Sequence, residues 1–496
     1  MAVGEAQRQQ FDVVAAAAIA LVVALFPLTS ADLWWHLASG REIWRRGGIP
    51  FSDPFSFASD PGRWLDHGWL FQALVYPIEA AGGPLALQLV QLLLAFGIAL
   101  VVLRQLARDA LPREAALVTV AIAMIAAKPR LTLRPELVTL LFLCVLLAWL
   151  RRSDERPRWL LPALACLSLV WTNLHPGAIL GALVVLIWCA ADALERREWV
   201  RPASTLAAFC VPLVMTPYGV DSLLFPFRLR ALVTSGGFVN PEWLPARFDT
   251  LPAPFLLLVA SAIVVVAAWR EAATKRIARL LIVAVLAFLA LRYQRNAGMF
   301  AVALPLLLGP ELAALARAWS ERTRQLASVL AAVVLLASFF TFAAPGVGIN
   351  HKEIAVDATD FAKRAGIRGH MFNQARFGGY LIWALYPDTK VLIDGRNEVY
   401  TRLLPRLAGA IGDDRQWRQF LRDEQIEWAI LGYNNPPQRV VTTGSDGARR
   451  TALVPFAVLH FPPREWALVY RDEVAFVLVR RNGVNARLVR NAPRVR

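Results

Sequence analysis

Residues 11–40 read FDVVAAAAIALVVALFPLTSADLWWHLASG and place a long apolar run directly before an acidic, aromatic segment. The run 11–28 is about long enough to cross a bilayer. A signal peptide cut near Ala31 would also begin with an apolar run, but this one is long for that role and further apolar runs follow it. We interpret it as an uncleaved first membrane helix, which places Asp32 at the boundary between lipid and water.

The composition of the whole chain agrees with a membrane protein. Hydrophobic residues make up 57% of the 496 residues, charged residues only 18%, and the mean hydropathy is +0.46. These values exclude a disordered chain, a collagen-like chain and an ordinary cytosolic enzyme. The net charge of +16 is spread over short basic clusters between apolar runs, so it indicates membrane topology and not nucleic-acid binding.

Further apolar runs predict ten more spans, eleven in total. They cover residues 84–103, 114–127, 136–150, 158–173, 177–194, 203–217, 252–269, 277–291, 297–316 and 325–344. Arginine clusters return in every second loop, so the positive-inside rule places the amino terminus in the cytoplasm and the last 150 or so residues outside. We therefore expect a membrane domain over 1–345, including the outer loop 31–70, and an extracytoplasmic domain over 346–496. The four cysteines lie in predicted membrane helices without a CxxC pair, so we expect no disulfide and no structural zinc.

Two predicted outer loops carry basic residues, against the usual rule. They hold Lys128, Arg130 and Arg134 in one loop and Arg292 and Arg295 in the other. A miscounted helix or snorkelling side chains would explain them. The alternative is a site for an anion such as a lipid phosphate, which arginine binds through two parallel hydrogen bonds.

The tail changes in character, because charged residues become more frequent and apolar runs become shorter. We predict strands over 369–373, 390–394, 426–433, 466–470 and 474–480, and helices over 377–386 and 415–423. Strands that alternate with helices favour a small α/β domain.

The outer loop 31–70 holds the best candidate for chemistry, since the chain contains no nucleotide-binding glycine loop, HExxH or GxSxG motif. Asp32 is placed to accept a proton from a hydroxyl nucleophile or to hold a metal. The alternative for Asp32 is a helix N-cap.

Four further residues are candidates, each with a simpler explanation beside it. His175 lies in a short outer turn before a helix N-terminus, which favours anions, and a plain polar turn explains it equally well. Glu242 would touch an acceptor or belong to a lid, or be an ordinary surface acid. Asp394 and Arg396 follow a predicted strand end. They would likewise touch an acceptor or belong to a lid, or they would form a pair that closes a turn.

Several segments resemble the GT-C superfamily of membrane glycosyltransferases, in an uncharacterised bacterial multi-pass branch. They are the stretches 32–40, 49–57, 171–177, 216–219, 241–243, 292–296, 377–383 and 393–396. The resemblance implies a GT-C-like fold of about eleven helices in the bacterial inner membrane, with the tail outside. It also implies a polyprenyl-phosphate sugar as donor and an acidic residue in the first outer loop. A second acid stands in the branch where this chain has Gly68, and here Asp66 is the nearest one.

Two functions follow as hypotheses. In the first, a hexosyl- or pentosyltransferase of the cell envelope uses Asp32, with Asp66, as base or metal ligand on a glycan, lipid or protein acceptor. Its donor phosphate is bound by Lys128, Arg130, Arg134, His175, Arg292 and Arg295. No cofactor is certain, although a divalent cation would suit the two acids. In the second, the chain is a non-catalytic transporter, flippase or scaffold for lipid-linked sugars.

Overall fold

The computed structural model describes residues 2–155, 157–235, 241–269, 275–341, 345–433, 437–443 and 449–490. Helices dominate the first two thirds of the chain. They are α1 Ala2–Ala24, α2 Ala31–Arg46, α3 Trp69–Arg108, α4 Arg113–Ala127, α5 Pro135–Leu150, α6 Leu160–Leu174, α7 Ala178–Arg196, α8 Val200–Cys210, α9 Asp221–Ser235, α10 Ala253–Ala267, α11 Arg276–Arg292, α12 Ala297–Ala316 and α13 Glu321–Thr341. The last third adds strands and shorter helices. They are α14 Val356–Arg364, β1 His370–Asn373, α15 Ala375–Leu385, α16 Leu403–Ile411, α17 Asp414–Asp423, β2 Ile426–Gly432, β3 Gln438–Thr443, β4 Arg449–Val454, α18 Phe456–His460, β5 Trp466–Arg471, β6 Ala475–Arg480 and α19 Ala486–Val489.

The chain forms two compact units. The helical unit contains Met1–Leu28, His67–Phe227 and Val239–Gly348, and the α/β unit contains Thr29–Asp66, Arg228–Phe238 and Ile349–Arg496. This grouping differs from the sequence analysis, which assigned the loop 31–70 to the membrane domain. The loop belongs with the tail because its backbone and side chains bond to residues 391–402, as described below.

The prediction of eleven membrane spans is wrong. Among the described residues, four helices are long and apolar enough to cross a membrane, at Trp69–Arg108, Ala178–Arg196, Gln294–Ala316 and Glu321–Phe339. Other apolar runs form helices of only 10–17 residues, such as Pro135–Leu150 and Leu160–Leu174. At 1.5 Å per residue, a helix of 15 residues covers about 23 Å, which is less than the hydrocarbon core of about 30 Å.

The helical unit packs around α12, which is buried along almost its whole length and contacts α3, α4, α5, α10 and α11. A helix surrounded on all sides has no polar face, which explains why its sequence is apolar except for Glu311. Basic residues of this unit form buried ion pairs, such as Arg279 with Glu311 (2.7 Å). The buried carboxylate of Glu311 therefore has an opposite charge beside it, as a charge inside a packed unit requires.

The α/β unit is built on a four-stranded sheet in the order β1-β2-β6-β5. β1 is parallel to β2, and the other neighbours are antiparallel. The predicted strands over 369–373, 426–433, 466–470 and 474–480 are confirmed as β1, β2, β5 and β6, and α15 and α17 confirm the two predicted helices. The predicted strand over 390–394 is wrong, because Val391 forms only an isolated bridge with Ser56. The hairpin of β3 and β4 was not predicted.

The segment 51–60 pairs with residues 391–402 through main-chain bonds. The amide of Phe57 donates to the Val391 carbonyl (3.2 Å), and the amide of Asp60 donates to the Val399 carbonyl (2.8 Å). Ser56 is held similarly, since its hydroxyl donates to the Leu392 carbonyl (3.1 Å). These bonds make the first loop an integral part of the α/β unit.

Candidate functional site

Two arginines of the helical unit meet on one carboxylate. Arg130 ends a 3-10 turn over Lys128–Arg130, and Arg134 directly precedes α5. Their Nη1 atoms lie 2.8 Å and 3.1 Å from the same Oε1 atom of Glu242, which lies in a second turn over Pro241–Trp243. The Glu242 side chain is 36% exposed, whereas the arginines are 11% and 13% exposed. Glu242 is thus the most accessible member of this cluster.

A second acid and a third arginine complete the cluster. Glu136, in the first turn of α5, is buried and lies 3.2 Å from Nη2 of Arg134. Burial alone would raise the pKa of Glu242, but the charges of Arg134, Arg130 and Arg295 outweigh burial and lower its pKa well below the ordinary range. Glu242 is therefore ionised at neutral pH, and the surroundings favour an anion at its position.

Backbone contacts fix the turn that carries Glu242. The amide of Gln294 donates to the Leu244 carbonyl (3.0 Å), and the amide of Ala246 donates to the Leu291 carbonyl (2.9 Å). Arg295 lies over the Trp243 ring, 4.8 Å from its centroid. Three chain segments, at 128–136, 241–246 and 291–296, thus build one cationic cluster around a carboxylate.

The other three predicted phosphate-binding residues make contacts with other groups. Lys128 is buried and donates to the backbone carbonyl of Ser338. Arg292 lies over the Tyr293 ring at 4.8 Å. The Nδ1 atom of His175 lies 2.8 Å from the hydroxyl of Thr139 and accepts from the Gly177 amide (3.1 Å). Of the six residues, Arg130, Arg134 and Arg295 converge, and Glu242, predicted as an acceptor or lid residue, joins them.

In the α/β unit, Asp32 lies in the first turn of α2, after Ser30 at the N-cap position. An acid in the first turn interacts favourably with the helix dipole. Its Oδ1 atom accepts from the indole of Trp35 (3.3 Å), and a β-carbon at Gly395 would clash with the same oxygen. Asp32 is partly exposed and in contact with the segment that follows residue 394.

The pair Asp394 and Arg396 is buried, and its partner from the first loop is Asp53. Nε and Nη2 of Arg396 donate to the two oxygens of Asp394 (2.8 and 2.6 Å), and Nη1 donates to Asp53 (2.8 Å). The hydroxyl of Tyr400 also donates to Asp394 (2.6 Å). Burial opposes the charge of Arg396, but Asp394 and Asp53 outweigh it and raise its pKa.

Aromatic rings enclose the Arg396 guanidinium. Its central carbon lies 4.7 Å from the Trp64 ring centroid, 5.2 Å from that of Phe55 and 5.6 Å from that of Trp35. The side chain is 0% exposed. Asp394 and Arg396 therefore join the first loop to the tail, and direct contact with an acceptor would require this network to open.

A further acid of this region, Glu398, was missed by sequence analysis. It lies in a 3-10 turn over Asn397–Val399 and is partly buried. Burial raises its pKa to about 7, and the charges of Asp394 and Asp66 act in the same direction while Arg396 opposes them. Asp66 itself is buried. No sequence motif marks Glu398, because its pKa depends on burial in the folded chain and on Asp66, which lies far away in the sequence.

The described part of the chain contains no group of three or more His, Cys, Asp or Glu side chains arranged to hold a metal ion. The charges of the arginine cluster suit an anion, and the carboxylates of Asp32 and Glu398 are groups of the kind that can accept a proton.

Comparison with known proteins places the chain by fold. No protein-family model matches it, and neither does any curated protein. Among solved structures it is similar to the crystal structure of the oligosaccharyltransferase of Archaeoglobus fulgidus in the apo form. The TM-score is 0.60 at 12% identity, over 94% of this chain and 80% of that one. The likeness shows that the two chains share a fold over most of their length.

Proposed function

We propose that the protein is a membrane glycosyltransferase that moves a hexose or pentose from a polyprenyl-phosphate donor to a glycan, lipid or protein acceptor. The reaction would take place at the outer face of a bacterial inner membrane. The fold shared with an oligosaccharyltransferase supports this class of reaction. The donor is proposed from the residues of the arginine cluster.

The arginine cluster carries the proposal. Arg130 and Arg134 both direct a guanidinium N–H at one carboxylate oxygen, and the charge of Arg295 adds to theirs. A phosphate offers the same bonding to arginine as a carboxylate does. In the proposed complex, the donor phosphate takes the place of the Glu242 carboxylate between the two guanidinium groups.

The reaction would exchange one glycosidic bond for another. The bond between the anomeric carbon and the phosphate oxygen breaks, and the acceptor hydroxyl forms the new bond to that carbon. Asp32 takes the hydroxyl proton, and the polyprenyl phosphate leaves with the electron pair. Cationic groups that hold the phosphate stabilise the charge that develops on it.

The experiment uses the full-length protein in proteoliposomes with radiolabelled polyprenyl-phosphate sugars. We expect Arg130→Ala to raise KM for the donor at least tenfold, whereas Arg247→Ala should leave it unchanged. Arg247 is a suitable control because it lies shortly after the turn that carries Glu242 and is 74% exposed, and because its side chain pairs only with Asp249 among the described residues.

Asp32 is tested separately. Asp32→Asn should abolish transfer while donor binding persists, and Asp357→Asn serves as the control because Asp357 is an exposed acid in the first turn of α14. Movement of the labelled lipid across the bilayer with its sugar still attached would favour the transporter hypothesis. A protein that neither binds nor moves any labelled lipid would contradict the proposal and leave a scaffold.

A further inference from the structure

A cleft of about 640 Å³ opens in the α/β unit, apart from Asp32 and the Arg396 network. It lies between the end of α14, the start of β1 and the segment that follows α15. Its size falls within the range of small-molecule sites, which is roughly 300–1,000 Å³.

Three cations line the cleft. Lys363, Arg368 and Lys390 are all exposed, and none forms an ion pair with another described residue. One acid, Asp388, also lines it. The cleft therefore has a net positive charge, and three like charges facing one cavity repel one another unless an anion neutralises them.

Two helix C-termini border the cleft, and their negative ends would normally disfavour an anion. Arginines from other segments bind these carbonyl groups. Arg41 donates to the carbonyls of Trp383 and Tyr386 at the end of α15 (3.2 and 3.3 Å). Arg487 does the same for Ala365 and Gly366 after α14 (2.9 and 3.1 Å). The helix ends are therefore compensated, and the lysines remain available to a ligand.

Aromatic groups supply an apolar wall. The rings of Phe57 and His370 are stacked, with centroids 4.0 Å apart, and Trp428 lies behind them with its indole donating to the Gly369 carbonyl (3.0 Å). Nδ1 of His370 bonds to the Glu424 carbonyl (2.8 Å), so Nδ1 carries the proton and Nε2 is the acceptor of the neutral ring. Nε2 of His370 can accept a hydrogen bond from a hydroxyl group of a ligand, and the rings can pack against an apolar face of the same ligand.

We infer that this cleft binds a sugar that carries a carboxylate or a phosphate group. The lysines and Arg368 recognise the anion, and the aromatic wall with His370 takes the ring and its hydroxyl groups. A pocket with a mainly aromatic wall and a few placed charges is typical of small-molecule recognition. The inference concerns binding alone and does not depend on the proposed transfer reaction.

The experiment measures ligand binding to the full-length protein in detergent by saturation-transfer NMR. The probes are glucuronate, glucose 6-phosphate, glucose and inorganic phosphate. We expect glucuronate or glucose 6-phosphate to bind at least tenfold more tightly than glucose and than inorganic phosphate. A preference for glucuronate identifies the carboxylate as the anion, and a preference for glucose 6-phosphate identifies the phosphate.

Variants locate the binding. The double variant Lys363→Glu/Lys390→Glu should weaken binding of the preferred probe at least tenfold. Lys352→Glu, an exposed lysine of the same unit that does not line the cleft, should change it less than twofold. The inference is overturned if no probe binds, if glucose or inorganic phosphate binds as well as the charged sugars, or if Lys352→Glu weakens binding as much as the double variant.

Discussion

Replacement of Arg396 by methionine tests whether the buried ion network holds the first loop to the tail. The change removes the cation and leaves the carboxylates of Asp394 and Asp53 buried, with side chains 0% and 2% exposed. Loss of one partner from a buried ion pair typically costs about 3–5 kcal/mol, because the remaining charge is uncompensated. In a domain of about 150–250 residues, each kcal/mol lowers the melting temperature by about 2–4 °C. We therefore expect Arg396→Met to lower the melting temperature by about 6–20 °C.

Two measurements check this expectation on the full-length protein in detergent. Thermal unfolding gives the shift at a fixed heating rate, since unfolding of a large membrane protein is often irreversible. Hydrogen exchange locates the effect, because amides such as those of Phe57 and Asp60 bond to the segment that contains Arg396. Their exchange should accelerate by at least a hundredfold, since each 1.4 kcal/mol is about tenfold.

The matched control is Arg406→Met in the same unit. Arg406 is 52% exposed and lies 2.9 Å from Glu424, so its ion pair is worth about 0–1 kcal/mol. An Arg396→Met shift no larger than that of Arg406→Met, with no faster exchange in residues 51–60, would show that the network does not hold the loop.

Three further predictions test other contacts. Glu242→Gln should bind polyprenyl phosphate about tenfold more tightly, since it removes the anion that occupies the arginines; unchanged or weaker binding would show that Glu242 does not compete with phosphate. Glu398 has its pKa raised from 4.5 to about 7, so the folded state binds its proton more strongly and stability falls as pH rises from about 4.5 to 7. Glu398→Gln should not show this pH-dependent loss of folding stability, which is at most about 3 kcal/mol. The difference in melting temperature between variant and wild type should therefore grow from pH 5 to pH 8. A difference that stays constant would contradict the shifted pKa. Gly379→Ala should cost about 1–3 kcal/mol, because its β-carbon would clash with the Ala31 carbonyl. Gly409→Ala, whose β-carbon would make only an ordinary contact with the Gln416 side chain (3.6 Å), should be neutral or stabilising in a melting experiment.

The sequence predicted elements of the tail whose signal is local. Strands β1, β2, β5 and β6 were predicted to within one or two residues, because their apolar and aromatic runs are short and are bounded by turn or polar residues. The hairpin of β3 and β4 was missed, because its segments 438–443 and 449–454 carry arginine and glutamine beside short apolar runs. The dipeptide Asp446-Gly447 between them is a hairpin turn signal that could have identified it. The count of membrane spans failed because hydropathy shows that a run is apolar but not whether its helix is long enough to cross.

The sequence predicted which residues belong to the candidate site, but it did not predict which of them form ion pairs with one another. Arg130 and Arg134 were marked because basic residues in a short outer loop are unusual, and Glu242 only as an acid beside a tryptophan. Their ion pairs join residues 112 and 108 positions apart. Nothing in the local pattern of either segment indicates that they meet.

By itself, the sequence determined that long apolar helices precede an α/β tail, since composition and periodicity depend only on neighbouring residues. The tertiary structure decided which charges pair. It buried Arg396 against Asp53 across 343 residues of sequence, grouped residues 29–66 with the tail, and placed Glu242 between two arginines. The physical reason is that a charge is stabilised by whatever surrounds it in space, and long-range packing brings those surroundings together.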